Sequence, residues 1–368
     1  MKSFRSIGHL IPLFITLAGV ADVGTRFLPL AWFSMRLEEP STRYPIGMTD
    51  LTPNFHYDMP RSYGDLANLV NSPRYRFYHR QWMNVNGDGF RLDGAPAMPG
   101  KPPEALLFGD SFARGVSLSD DATLAAQFSR IPGRSLFDSS LRLDWGRTRR
   151  ALDYLGMTKG TVVVALVDRL ALPGVEEFQD RPQRNTAWRR FNHQCQKLWD
   201  GFWEVCPLQI FSERLIRRLQ NDTILPNPHA SWAKVETLVN GQPMLFFDQD
   251  IAASEGGMVG TIDGLLLYQD HLRRRGIDLL ILVVPNKYLV YRQLIQHAPR
   301  QSHGPSRASR YEDALHQAGI RVLNLEHVFI PEAEAALQRG ELLYWPDDTH
   351  WNSNGTRLAA QALAQALR

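Results

Sequence analysis

From Glu104 onward, short apolar runs alternate with stretches of helical period, and that alternation leaves few folds open. The runs are Ala105–Gly109, Arg134–Asp138, Thr161–Val167, Ile277–Val284 and Ile320–Leu325. Their near-continuous hydrophobicity and β-branched content suit strands covered on both faces. Helical patterns over Ala122–Ser129, Arg147–Leu155, Ile262–Arg275 and Ala308–Gln317 separate them. Gly276 and Gly319 follow two of these, where a helix can end in the left-handed conformation that glycine tolerates. Strand and helix in alternation predict an α/β fold, a parallel sheet with helices on both sides. Ligands of such open sheets bind outside the carboxyl ends of the strands, so candidate chemistry is sought there.

Two stretches break the rhythm. Residues 28–100 are rich in Pro, Tyr, Arg and Asn with little helical period, and read as an extended lead-in wrapping a larger body. Residues from about 172 to 256 look like an insertion or cap over the strand ends. They carry Trp188, Trp199, Trp203 and Trp232, which are expected to form a small core of their own. The main domain is therefore expected over 101–368, with 1–27 as a separate segment ahead of the lead-in. In that first segment Lys2 and Arg5 precede an apolar run from Ile7 to Ala21, interrupted by His9, Pro12 and Thr16. A basic start followed by an apolar middle looks like an export signal or an N-terminal anchor, with Gly19 and Ala21 as small residues ahead of a cleavage site. The competing reading is a buried first helix. Either export reading places the remainder outside the cytoplasm.

Lys+Arg 41 against Asp+Glu 38 is too balanced for a dedicated nucleic-acid binder. With 44% hydrophobic and 21% charged residues the chain is neither disordered nor polytopic. Two cysteines exclude a disulfide scaffold and a thiolate zinc site. Cys195 and Cys206 either close a short loop in an oxidising compartment, contributing about 2–3 kcal/mol, or are two small buried hydrophobes.

Two segments carry residues suited to chemistry. In LLFGDSFARG (106–115) a strand runs into Gly109-Asp110-Ser111, presenting a hydroxyl at the carboxyl edge of the sheet. In YWPDDTHWNSNG (344–355) His350 precedes the final helix, which Asn352 or Asn354 would cap. Leu358, Ala359, Ala362, Leu363 and Ala366 give that helix one apolar face, packing it back on the sheet and holding His350 near its edge. A serine hydroxyl is a weak nucleophile until a base removes its proton. Neutral histidine does so near pH 7, with a carboxylate on its other nitrogen fixing the tautomer. Ser111, His350 and either Asp347 or Asp348 supply the three roles. The plainer alternatives are that Ser111 ends a strand and that His350 is a structural hydrogen-bonder.

A Gly-Asp-Ser turn early in the domain and an Asp-x-His element late in it resemble the SGNH (GDSL-like) hydrolase superfamily. NVNGDGFR (84–91), GIDLLILVVPNKYLVY (276–291) and DDTHWNSNG (347–355) resemble the branch containing the alginate O-acetylation proteins of bacterial envelopes. The likeness runs from about Asn84 to the carboxyl terminus, without the tryptophan-rich insertion. It implies a three-layer α/β/α sandwich, Ser111 as nucleophile and His350 as base. Asp348 is the orienting acid if the pattern is Asp-x-His, Asp347 if it is Asp-x-x-His; the acetylation branch favours Asp348. In the alginate proteins the Asp-x-His element precedes the serine motif, whereas here it follows. The family's usual oxyanion donors include a glycine and an asparagine after the second and third strands, where this chain has Ser139-Ser140 and Asp168-Arg169. An ionised aspartate donates nothing, so the Ser140 amide or the Arg169 side chain is expected to serve.

Neighbouring residues carry paired expectations. Arg91 either approaches the site or makes a surface salt bridge, and Lys287 either touches an anionic sugar or is simply solvated. Trp345 and Trp351 either stack on a sugar or pack the loop. Asn84, Asn86, Asp88 and Gly89 mimic a calcium loop, but Ala95 stands where its glutamate belongs, so they read as a turn. With no HExxH, CxxC pair, phosphate loop or dinucleotide fingerprint, neither a metal nor a nucleotide cofactor is expected. The resemblance implies an envelope serine enzyme moving acetyl groups on a cell-surface polysaccharide, periplasmic and held at the inner membrane by the first segment. A membrane acyltransferase would supply the acyl donor. The alternatives are an esterase of the same fold, or a non-catalytic polysaccharide-binding subunit with a relict triad.

Overall fold

The computed structural model describes residues 4–28, 34, 36–42, 48–94, 102–139, 143–179, 187–204, 207–221, 229–298 and 304–368. The chain opens with helices α1 (Phe4–Thr25) and α2 (Glu38–Ser41), then strand β1 (His56–Ser62), α3 (Asp65–Val70) and β2 (His79–Asn84). The alternating region follows as β3 (Ala105–Gly109), α4 (Leu124–Ser129), β4 (Leu136–Asp138), α5 (Trp145–Leu155) and β5 (Gly160–Val167). An inserted stretch holds α6 (Ala187–Glu204), α7 (Pro207–Asn221), β6 (Ala233–Thr237), β7 (Pro243–Phe247) and α8 (Asp248–Glu255). The chain closes with α9 (Asp263–Arg273), β8 (Ile277–Val284), α10 (Lys287–Tyr291), α11 (Arg307–Gln317), β9 (Arg321–Asn324), α12 (Glu326–Gln338) and α13 (Ser353–Ala366).

Five strands form one sheet in the order β4-β3-β5-β8-β9, each pair parallel. Successive side chains point to opposite faces, and the strands obey this strictly. Leu107, Val163, Ala165, Leu280 and Leu282 face a layer built from α4, α10, α12 and α13. Leu106, Phe108, Val162, Val164, Leu279 and Ile281 face α5, α9 and α11. The architecture is thus the α/β/α sandwich that the apolar runs and the resemblance predict. Counted along the sheet, the order reverses between β3 and β5, and the crevice at such a switch point is where ligands of doubly wound folds bind.

The lead-in is more ordered than its composition suggests. β1 and β2 pair antiparallel, and Met59 and Met83 from them join Leu37, Leu51 and Val85 in a small satellite core. Asn86 makes the turn expected of the 84–91 segment: its Oδ1 accepts from the Asp88 and Phe90 amides, at 3.0 and 2.9 Å. In the inserted stretch the expectation of a tryptophan core is overturned, since Trp188, Trp199, Trp203 and Trp232 are all exposed. Cys195 is exposed and free, not a buried hydrophobe, and Cys206 lies outside the described residues. α1 covers the apolar run of the first segment, but its side chains from Leu13 to Val23 face mostly outward rather than into a core. Among the described residues no helix is long and apolar enough to cross a membrane.

Candidate active site

The carboxyl ends of β3 and β5 sit side by side, and Gly109 shows how tightly. A Cβ there would lie 2.3 Å from the Ala165 carbonyl oxygen, so only glycine lets β3 close on β5 before the chain turns. Asp110 then ties the turn down: its Oδ1 accepts from the Phe112 amide at 2.8 Å and its Oδ2 from the Val167 amide at 2.9 Å. Burial pushes the Asp110 carboxyl up, and the two amide bonds together with Arg169 oppose that shift. Ser111, held between these anchors, presents its hydroxyl at the switch point.

The second half comes from the loop ahead of α13. Asn352 caps that helix, its side chain accepting from the Asn354 and Gly355 amides. The packed helix fixes His350, whose Nε2 lies 2.8 Å from Ser111 Oγ. On the other side of the ring, Nδ1 lies 2.5 Å from Asp348 Oδ1. A carboxylate only accepts, so the proton sits on Nδ1 and Nε2 is left to accept from the serine hydroxyl. Asp348 also accepts from the His350 amide at 2.9 Å, the Ser117 hydroxyl at 2.7 Å and the Asp65 amide at 3.0 Å. Burial works to raise the Asp348 carboxyl, but His350, Arg36 and the Ser117 bond outweigh it and hold it well below the usual carboxylate range. The structure therefore brings Ser111, His350 and Asp348 into one hydrogen-bonded line.

Asp347 is not part of it. Its Oδ2 accepts from the Gly64 and Phe77 amides, at 2.9 and 2.8 Å, and does not reach the imidazole. The alternative Asp-x-x-His assignment is corrected accordingly: in the turn over 346–350 the Asp347 carboxylate is directed to the Gly64 and Phe77 amides, and Asp348 faces the ring. Asp347 instead joins the lead-in to the acid loop. α3 has no side-chain cap of its own, and its first amides, which have no partner within the helix, are satisfied by this loop. Asp347 Oδ2 takes Gly64 N–H, Asp348 Oδ2 takes Asp65 N–H, and the Asp347 carbonyl takes Ala67 N–H. Asp65 answers by accepting from the Thr349 amide and hydroxyl at 2.8 and 2.7 Å. Ser117, Asp65 and Arg36, whose Nη2 lies 3.7 Å from Asp348, are supporting residues that sequence reasoning missed. No local signal marks them, because the bonds join segments more than two hundred residues apart.

Two other expectations are corrected. Arg91 is buried and its donors are spent within the protein: Nε donates to Asp120, Nη1 to the Arg114 and Gly115 carbonyls, and Nη2 to Leu118 O. It pins the loop behind Ser111. Lys287 is neither solvated nor available to a sugar, because its fully buried ammonium donates to the carbonyls of Trp345, Pro346 and Asp348 at 2.7, 3.0 and 3.0 Å. Burial pulls the Lys287 ammonium down to about 8 against the pull of Asp347 and Asp348. Trp351 is buried against Phe112 and Phe329, and Trp345 stacks on His79 at 4.1 Å, so both pack the loop.

Of the expected oxyanion donors, Ser140 lies outside the described residues. Ser139 is buried with its hydroxyl on Leu107 O at 2.6 Å. Asp168 bonds to the cap of α10, accepting from the amide and side chain of Asn286 at 3.0 and 3.1 Å. Burial raises the Asp168 carboxyl to about 7, with Asp250 adding to the shift. Arg169 keeps one nitrogen on Asp250 at 3.0 Å and lies over the ring of Phe112, the residue that follows Ser111 in the chain. Asp65, Asp348 and His350 present ligand-type atoms within 4.8 Å of one another. Asp348 and His350 bond to each other through those atoms, and Asp65 accepts from the Thr349 amide and hydroxyl.

Residues 239–368 match the family described as SGNH hydrolase-like domain, acetyltransferase AlgX. Among curated proteins, the chain is similar to the probable alginate O-acetylase AlgJ of Pseudomonas putida, 27% identical over 129 residues. It is also similar to that of Pseudomonas syringae pv. tomato, 29% identical over 126 residues. Each match covers 33% of this chain and 31% of the relative, so the chain spans about a third of the length of the relatives it matches. The family match contains Asp348 and His350 but not Ser111, whose place rests on geometry. Over its last third the chain is therefore similar to the AlgX/AlgJ-like branch of the SGNH hydrolase-like domains, and its parallel α/β/α sandwich agrees with that likeness.

Proposed function

We propose that this protein is a serine O-acyltransferase that moves an acetyl group onto a hydroxyl of a polysaccharide through an acyl-serine on Ser111. The observation that carries the reading is the 2.8 Å contact between Ser111 Oγ and His350 Nε2, backed by Asp348 at 2.5 Å on the far nitrogen. Ser111 Oγ attacks the donor ester carbonyl as its proton passes to His350. The donor C–O bond breaks, the departing alcohol takes the proton from His350, and acetyl-Ser111 remains. A sugar hydroxyl then gives its proton to His350 and attacks the acyl carbon; the bond from that carbon to Ser111 Oγ breaks, Oγ takes the proton back from His350, and the O-acetylated sugar leaves. Arg169 is proposed to face the carbonyl oxygen that becomes negative, where a fixed donor contributes about 10²–10³ in rate.

Similarity to proteins named as alginate O-acetylases supports acetyl as the group and a polysaccharide as the acceptor. We place the enzyme at the cell envelope, on the strength of Lys2 and Arg5 ahead of the apolar run. The test is incubation with a chromogenic acetyl ester, with and without an oligosaccharide acceptor. Acceptor-dependent O-acetylated sugar is the expected product, and release of acetate alone would make the protein an esterase. If Ser111→Ala equals the wild type in both hydrolysis and transfer, the reading fails.

A further inference from the structure

We infer that α6 and α7 form an interfacial platform that lies in the surface of an anionic phospholipid bilayer. In a soluble protein an amphipathic helix turns its apolar side to the core. α6 does the reverse. Trp188, Phe191, Cys195, Trp199 and Trp203 recur at three- and four-residue spacing along the outward face, with Trp188 70%, Phe191 61% and Trp199 63% exposed. Lys197 lies on the inward side, half-buried beside Asp50, Arg147 and Arg150. α7 repeats the pattern, with Phe211 55% and Leu215 51% exposed. Among the described residues no element covers either face.

The occupant follows from chemistry and continuity. Tryptophan and phenylalanine with basic residues on one helix mark segments that rest at the headgroup level. Between 187 and 221 the chain has Arg189, Arg190, Lys197, Arg214, Arg217 and Arg218 against Asp200, Glu204 and Glu213, a net positive charge complementary to anionic headgroups. The apolar surface also continues beyond the pair. α1 packs against α7 and exposes Leu13, Phe14, Ile15, Leu17 and Val20. Arg26, just past the end of α1, donates to the Phe202 and Trp203 carbonyls at 2.5 and 3.3 Å, so α1 and α6 are joined. Among the described residues no helix is long and apolar enough to cross a membrane. The inference stands independently of the acyl-transfer reading.

The test uses the full chain and vesicles of phosphatidylethanolamine and phosphatidylglycerol, in co-sedimentation and in tryptophan quenching by bromolipids. The expected results are binding that weakens with salt, and quenching that falls sharply in the Trp188→Ser/Trp199→Ser pair. Adding Phe211→Ser to that pair should weaken vesicle partition by about tenfold or more. Circular dichroism and melting temperature, unchanged in the variants, exclude misfolding as the cause. Binding and quenching at wild-type level in the triple variant would overturn the proposal, leaving attachment to α1 alone. So would failure of the wild type to bind vesicles, which would point to a protein partner for this face.

Discussion

At the scale of single residues, Asp347 and Asp348 are chemically identical neighbours whose surroundings assign them different work. Asp348 orients His350 and is held ionised by it and by Arg36, while Asp347 serves backbone amides of the lead-in. Asp348→Asn should leave the fold intact and lower the turnover number by about 10²–10⁴, because the amide no longer fixes the proton on Nδ1. Asp347→Ala should mainly lower stability, by about 1–3 kcal/mol, since it strands buried amide donors. Steady-state kinetics paired with chemical denaturation separates the two, and equal kinetic losses would contradict the division of roles. Lys287 belongs to the same scale. Lys287→Met removes an ammonium that gathers three carbonyls of the acid loop. It should depress turnover with little change in KM for a small ester, and a lysine contacting substrate would instead raise KM. Neither Lys287 nor Arg91 could be placed from sequence: a solvated and a buried cation look alike until the fold supplies the carbonyls around them.

Among elements, the five strands were legible because burial on both faces makes each a continuous apolar run, and a parallel sheet is the arrangement that covers both faces. The ends were less so. Arg134 and Ser135 prove to precede β4, and α12 (with Pro331 inside it) and the pair α6–α7 had no expectation attached. The tryptophan core expected of this stretch is absent because composition counts apolar side chains without saying what they face: Trp188, Trp199, Trp203 and Trp232 are all exposed. Another coupling between elements is electrostatic. Asp93, in the segment between β2 and β3, is buried with Asp138 at the end of β4 and Asp120 ahead of α4, around Arg91. Burial, with Asp138 adding and Arg91 opposing, lifts the Asp93 carboxyl from 3.8 to about 8. Folded protein therefore keeps a proton that the unfolded chain releases near pH 4. The associated stability is full below that pH and is lost as pH climbs to about 8. Asp93→Asn should flatten this decline, measured as denaturation midpoints between pH 4 and 8 relative to wild type. Parallel curves would mean Asp93 is ionised in the fold.

For the whole molecule, the lead-in is part of the site rather than a wrapping. α3 borrows its cap from the acid loop, and the acid loop is held in return by Asp65, so residues far apart in sequence position one imidazole. Gly64 marks the seam. A Cβ there would fall 2.0 Å from the Asp347 carbonyl oxygen, which cannot yield without moving the Asp348 backbone. Gly64→Ala should thus reduce esterase turnover by more than it reduces the melting temperature of the sheet would suggest, about tenfold or more. An unchanged rate would show that the lead-in does not position His350.

The most direct test of the whole account is to catch the acyl group on the protein. Rapid acid quench during turnover of an acetyl ester, followed by peptide mass spectrometry, should find one acetyl on the Ser111 peptide of the wild type and none in Ser111→Ala. An acetyl group on another residue, or equal labelling of the variant, would contradict acyl transfer through Ser111.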